Sequence, residues 1–264
     1  DTDMDVINVV FSDWTRGDKF LFHSEAIDED IIIWGEEKKI IDEVNDLVES
    51  DSNGSYNSAP YISCSPDGIC GVGIIGLFAG ALDENSPYSN NHTGIFRMSN
   101  DHGASWYGGQ SGNPSLGHAN STDGDGYYFI PDNAWSDLID TQFDGEYINE
   151  YDGGSGNCVE ESVYFDDFWT YYDLDFKVDS DGNPHFIIQV APSDHGNVWL
   201  THQAGGLYHF TIDREHLDSP GELNTPTGWN WSFVMTAEYT WIFEDNIGTS
   251  NVWNSSTSLS FSQG

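Results

Sequence analysis

Gly94-Ile95-Phe96-Arg97-Met98-Ser99-Asn100-Asp101-His102-Gly103-Ala104-Ser105-Trp106 is the stretch from which the fold can be read. It opens with apolar and polar residues in alternation, the period of a half-buried strand. It then breaks into Ser-Asn-Asp-His-Gly and lands on a tryptophan. An aspartate in a tight turn accepts hydrogen bonds from backbone N–H groups, and glycine supplies a positive φ. The aromatic ring fills the space beneath the turn. The stretch predicts a strand, a hairpin turn and the start of another strand.

Ser99, Asp101, Gly103 and Trp106 follow S-x-D-x-G-x-x-W, which resembles the Asp-box (BNR repeat) of sialidase-superfamily β-propellers. The resemblance implies an all-β fold of four-stranded antiparallel blades, with the Asp-box as a structural turn. It also implies what a sialidase would need: three arginines on a sugar carboxylate, a Tyr/Glu pair and an Asp. Such a carboxylate calls for bidentate, permanently charged donors. The chain offers Arg16, Arg97 and Arg214 alone. Arg97 and Arg214 sit at or beside the Asp-box turns, and Arg16 lies in Thr-Arg-Gly-Asp, so sialidase activity is not expected.

Working outward, Cys64 and Cys70 flank Ser65-Pro66-Asp67-Gly68-Ile69. Pro-Asp-Gly is the composition of a three-residue hairpin loop closed by a left-handed glycine. That centre sets Cys64 opposite Cys70 in a non-hydrogen-bonded pair, where strands approach most closely. A cross-strand disulfide is sterically open to them, with two reduced cysteines as the alternative. A disulfide points to an exported protein. Cys158 is left over.

The unit recurs. Phe176–Ile188 overlays Ile62–Ile74, with Val178 and Pro184 in the places of the cysteines, and Gly206–Asp213 overlays Gly94–Asp101, with His209 on Arg97. Asp181 follows Asp67 by 114 residues and Gly206 follows Gly94 by 112, two anchors in near agreement. The spacing exceeds the roughly 40–50 residues of one blade and suits two. A less regular blade is expected between the copies, around Tyr127–Asp152 and Val163–Tyr172. The expected architecture is a β-propeller with four to five blades in this chain, either a small complete ring or an incomplete one. Residues 1–264 form one domain or a fragment of one, with the clearest blade at 59–107 and the repeated unit at 174–235. Before it, Val6–Phe11, Phe20–His23 and Ile31–Trp34 read as strands. Ile40, Ile41, Val44, Leu47 and Val48 in Glu36–Ser50 recur at helical spacing and predict one short surface helix, with a strand as the alternative.

Composition agrees with a turn-rich β protein: 28 Gly, 10 Trp, 13 Tyr and 15 Phe in 264 residues. With 45 acidic against 7 basic residues the net charge is −38, which disfavours nucleic acid and anionic membranes. No apolar run reaches the roughly 20 residues of a membrane span. Dense carboxylates keep a protein soluble in salty water and also bind divalent cations.

Asp123 and Asp125 in Asp-Gly-Asp-Gly, and Asp179 and Asp181 in Asp-Ser-Asp-Gly-Asn, are candidate Ca2+ ligands because they bring oxygens together on tight turns. Neither loop has the EF-hand spacing. Glu161, Asp166, Asp167, Trp169 and Tyr171 place carboxylates beside aromatics, as a sugar site requires. The nine His carry no zinc spacing, and no nucleophile-elbow, P-loop or dinucleotide motif occurs. The expected function is a non-catalytic, secreted or cell-surface binding or scaffold module that recognises a glycan or protein. The alternatives are a hydrolase or lyase using Asp/Glu pairs, and a structural part of a larger surface assembly.

Overall fold

The computed structural model describes residues 6–13, 17–28, 31–47, 58–77, 87–88, 91–145, 147–152, 158–194, 197–199, 204–219 and 227–236. They form antiparallel β-sheets in chain order. Sheet 1 is β1 (Asn8–Ser12), β2 (Lys19–Asp28), β3 (Ile31–Trp34) and β4 (Lys38–Ile41), with β1 on one side of β2 and β3 and β4 on the other. Sheet 2 is β5 (Tyr61–Cys64), β6 (Cys70–Leu77), β7 (His92–Ser99), β8 (His118–Ala119) and β9 (Tyr127–Phe129), in the order β5-β6-β7-β9-β8. β10 (Tyr147–Asp152) and β11 (Cys158–Val163) make a separate ribbon. Sheet 3 is β12 (Asp167–Val178), β13 (Pro184–Ser193), β14 (Gly206–Thr211) and β15 (Asn230–Thr236), in sequence order.

The hairpins of the repeat have the expected register. Cys64 faces Cys70 and the two are disulfide-bonded; Val178 faces Pro184. Gly68 and Gly182 take φ of 81° and 86°, which is why glycine stands at both turns. Proline is tolerated at 184 because a non-hydrogen-bonded site asks for no N–H. The third strands differ by one step. Arg97 pairs with Val72, whereas Phe186, the counterpart of Val72, pairs with Phe210. Phe210, not His209, is therefore the equivalent of Arg97. A one-residue slip turns every side chain to the other face, so His209 points away from the core while Phe210 packs on Trp135 at 4.7 Å.

Three other expectations are corrected. The segment 36–50 does not form a helix throughout: Lys38–Ile41 is β4, followed by one helical turn at Glu43–Leu47. Pairing of β4 with Lys19, Phe20 and Leu21 of β2 overrides the helical spacing. The short α-helix is α1 (Asp132–Leu138), capping sheets 2 and 3 through the buried Trp135. No strand forms around Trp106 beyond a single bridge from Tyr107 to Met98, and β9 takes the fourth place in sheet 2. Of the less regular blade expected between the copies, the described residues show the two-stranded ribbon of β10 and β11. Tyr127–Phe129 belongs to sheet 2, and most of Val163–Tyr172 belongs to β12.

Sheets 2 and 3 pack face to face through glycine. A Cβ on Gly71 or Gly73 would lie 2.6 or 2.8 Å from ring atoms of Phe176, and one on Gly94 would lie 3.1 Å from Phe186. The three glycines thus open a trough that Phe176 and Phe186 fill beside Phe96, with ring centroids 6.2 and 5.4 Å from that of Phe96. The other face of sheet 2 meets sheet 1 along a seam rich in charge. Lys19 pairs with Glu43 at 3.0 Å, Lys39 with Asp18 at 3.0 Å, and both oxygens of Asp123 take N–H groups of Arg97 at 2.9 Å. Tyr127 lies under the Arg97 guanidinium and donates to Asp46 at 2.7 Å. Lys38 donates to the carbonyl of Ala104. The hydrogen bonds Tyr127–Asp46 and Lys38–Ala104 O cross from one sheet to the other, whereas each ion pair lies within one side of the seam.

Candidate functional site

The turn after β7 is held by its own side chains. Ser99 Oγ donates to Asp101 Oδ1 and accepts from Gly103 N, at 2.8 and 2.9 Å. Asp101 accepts from Ser105 N and Ser105 Oγ at 2.8 and 2.6 Å, and Trp106 Nε1 donates to Gly103 O at 2.9 Å. Burial acts to raise the Asp101 pKa, but the hydrogen bonds from Ser105 and Ser99 outweigh it and leave the carboxyl below its usual range. His102 and Gly103 take positive φ, and His102 N donates to Gly68 O, which ties this turn to the disulfide hairpin.

Between this turn and the chain following β14 lies a cavity of about 440 Å³ lined by Ile69, Asn100, Tyr107, Tyr128, Arg214, Glu215, Leu217 and Asp218. Its far wall is fixed from two directions. Asn183 Oδ1 accepts from Arg214 N at 2.8 Å, and Asn183 is in turn bonded to Asp179. His118 Nε2 meets Leu217 O at 2.7 Å. Inside the cavity Asn100 Oδ1 accepts from Tyr107 OH at 3.0 Å and from Arg214 Nη1 at 3.4 Å. Tyr128 OH donates to Asp218 Oδ1 at 3.3 Å. Burial, then the negative charge of Asp218, push the Tyr128 hydroxyl up; burial also raises Tyr107. Both phenols stay protonated and serve as donors. The Arg214 guanidinium makes a single hydrogen bond among the described residues, whereas that of Arg97 is fully engaged by Asp123 and Gly126 O.

The wall thus presents aromatic surface, a guanidinium with uncommitted N–H groups, an amide and two carboxylates. Comparison with protein-family models, curated proteins and solved structures gave no match. The functional reading rests on this geometry.

The candidate residues from the sequence lie elsewhere. Asp123 is taken up by Arg97, by Ser121 Oγ and by Asp125 N, which leaves Asp125 the uncommitted carboxylate of that loop. The Asp123 pKa falls to about 2: burial raises it, and the Arg97 and Ser121 hydrogen bonds more than reverse that. Asp179 accepts from Asp181 N, Asn183 N and His185, and Asp181 is exposed. Among the described residues no group of three or more His, Cys, Asp or Glu converges.

On β12, Asp167 is a buried latch that accepts from Asn91 Nδ2 at 2.6 Å and from its neighbour Phe168 N. Trp169 and Tyr171 pack edge to face at 4.1 Å, with Tyr171 buried and Asp166 exposed. The side chain of Glu161, like that of Cys158, lies outside the described residues, as does Arg16. The structure therefore brings Asp167, Trp169 and Tyr171 together on one strand, away from the cavity. The cavity residues Tyr107, Tyr128 and Asp218 carry no local sequence signal, because they converge from three separate segments.

Proposed function

We propose that this chain is an exported, non-catalytic sugar-binding module whose sheets are blades of a sialidase-type propeller, and that the cavity between Tyr107 and Arg214 receives a neutral saccharide. The observation that carries the reading is the Arg214 guanidinium, held by one hydrogen bond to Asn100 in a cavity that also holds two tyrosines and two carboxylates. A sugar hydroxyl both donates and accepts, so it fits a wall that mixes Arg and Tyr donors with Asp and Glu acceptors. With Glu215 and Asp218 beside one arginine on a chain of net charge −38, an acidic sugar is repelled.

The propeller reading draws support from the stacking. In both copies of the repeat the equivalent face, Val72 with Arg97 and Phe186 with Phe210, is turned toward the sheet that precedes it in the chain. Blades stack in this sense. The Cys64–Cys70 disulfide supports an oxidising compartment. Among the described residues no helix is long and apolar enough to cross a membrane.

A catalytic reading is less well supported. The Asp218 side chain is 78% exposed, whereas a glycosidase acid needs burial to stay protonated. The test is a glycan array beside a turnover screen on polysaccharides. Binding of neutral glycans, weakened about tenfold or more in Arg214→Ala, is expected. Release of reducing ends or of unsaturated products overturns the non-catalytic reading, and preference for acidic glycans overturns the choice of ligand.

A further inference from the structure

Strand β3 is a run of Ile31, Ile32, Ile33 and Trp34, and all four are exposed, at 63, 40, 52 and 39%. Both faces of the strand are therefore open. So is one edge: β3 pairs with β2 from Asp28 to Ser24, and no strand among the described residues lies along its other side. Such an edge leaves alternate N–H and C=O groups ready for another chain, and natural sheets commonly blunt it with Lys, Pro or a covering loop. β3 carries neither Lys nor Pro. The apolar surface also continues across the sheet: Trp34 meets Phe22 edge on, and Phe22 stacks on Phe11 with ring centroids 5.7 Å apart. A contiguous apolar patch of this kind on a strongly charged protein marks an interaction surface.

Charge decides what the patch accepts. In sequence the four apolar residues follow Asp28-Glu29-Asp30 and precede Gly35-Glu36-Glu37. Glu25 adds a further carboxylate at the same end, its Oε1 only 3.1 Å from the place a Cβ on Gly35 would take. The edge is apolar in the middle and negative at both ends. A second copy of this chain, paired β3 to β3 in either direction, would set acids against acids at each end, and like charges opposed across strands destabilise pairing. We propose that the open edge of β3 docks an extended segment of a partner protein, which adds as a further strand with apolar side chains at its centre and Lys or Arg at its ends. Backbone hydrogen bonds along the edge would supply affinity, and the basic ends would supply orientation and choice of partner.

The test uses two labelled peptides with the same alternating Val/Thr centre, one flanked by Lys and one by Glu, with binding followed by fluorescence anisotropy. The Lys-flanked peptide is expected to bind about tenfold or more tightly than the Glu-flanked one, and its advantage should shrink as salt rises from about 50 to 500 mM. Ile33→Lys should abolish binding with an unchanged circular dichroism spectrum. Ile31→Lys, at the most exposed position of the strand, serves if the first variant does not fold. Equal binding of the two peptides, binding that survives both variants, or no peptide binding would each overturn the proposal. So would sedimentation as a dimer that Ile33→Lys dissociates, since that assigns the edge to a second copy. None of these outcomes depends on the glycan reading, because the edge lies on sheet 1 and the cavity on sheets 2 and 3.

Discussion

His185 Nδ1 and His209 Nε2 lie 2.8 Å apart with their rings within 2° of parallel, and His185 Nε2 lies 3.1 Å from Asp179 Oδ2. Ionised Asp179 accepts a hydrogen bond from His185 Nε2–H, so a neutral His185 turns its Nδ1 lone pair toward His209. Only one proton fits between the two rings. Burial, then the charge of His185, lower the His209 pKa below its ordinary 6.5, and burial followed by Lys38 does the same to His23. A base with a depressed pKa is neutral in the fold and takes up its proton more readily on unfolding. Stability from this source is fully present above pH 6.5 and declines as pH falls through 6.5 toward the folded values. Melting temperature should therefore drop between neutral and mildly acidic pH, and His209→Gln should flatten part of that drop. A flat profile in the wild type would contradict the arrangement.

A second, lower acid limb is expected from carboxylates. Asp101, Asp123 and Asp179 all titrate below their ordinary 3.8. Their contribution is present above 3.8 and is lost as pH falls through the folded values, which for Asp123 is about 2. Asp101→Asn should remove part of this limb while leaving the His209 share of the histidine limb in place; at His23 it takes away a charge that favours protonation and deepens that residue's share. Thermal melts across both pH ranges resolve the two.

Gly73 is the most direct test of the packing between sheets 2 and 3. Gly73→Ala puts a methyl group 2.8 Å from the Phe176 ring and should destabilise the fold by about 1–3 kcal/mol in urea unfolding. Phe176→Leu in the same chain should recover part of the loss, because the two substitutions act on one space. Additive losses would mean that the trough is not the shared site.

The disulfide closes a short loop, so its removal should be modest. Cys64→Ala with Cys70→Ala is expected to cost about 2 kcal/mol of stability. The hairpin register should persist, since Ser65 N still donates to Ile69 O and Gly68 N to Ser65 O. Amide exchange at Ser65 and Gly68 checks the register, and loss of their protection would show that the bond, not the turn, sets it.

Salt should stabilise the protein. Lys19 and Arg97 are buried in ion pairs, which leaves at most five of the seven basic residues to offset the repulsion among surface carboxylates. Screening shortens the reach of that repulsion to about 3 Å at 1 M. Melting temperature is expected to climb with sodium chloride and then level off. A fall with added salt would mean that the internal ion pairs outweigh surface repulsion.

Much of this fold was legible where turn chemistry is local. Pro66-Asp67-Gly68 and Asp181-Gly182 each set the pairing next to their turns, and the structure keeps it from Tyr61 to Cys64 and from Leu174 to Val178, beyond which a bulge shifts β12 against β13. Legibility ended where tertiary pairing overrides spacing. Ile40, Ile41 and Leu47 match a helix, but Ile41 pairs with Lys19 of β2, and adjacent Ile40 and Ile41 are both buried. The third strand of the second copy slipped by one residue because the connection before it differs in length, which no local motif reports. The cavity was illegible for a similar reason. Asn100, Tyr128 and Arg214 become neighbours only after sheets 2 and 3 have stacked.

The two seams flanking sheet 2 answer to temperature in different ways. The seam with sheet 3 is glycine filled by phenylalanine, a contact whose driving force fades on cooling. The seam with sheet 1 is polar, crossed by the Tyr127–Asp46 and Lys38–Ala104 hydrogen bonds and flanked on each side by ion pairs whose desolvation penalty shrinks on heating. Cooling should loosen sheet 3 first and spare sheet 1. The molecule thus has a cold-sensitive side and a heat-tolerant side, set by three glycines on one face of a strand pair and one arginine on the other.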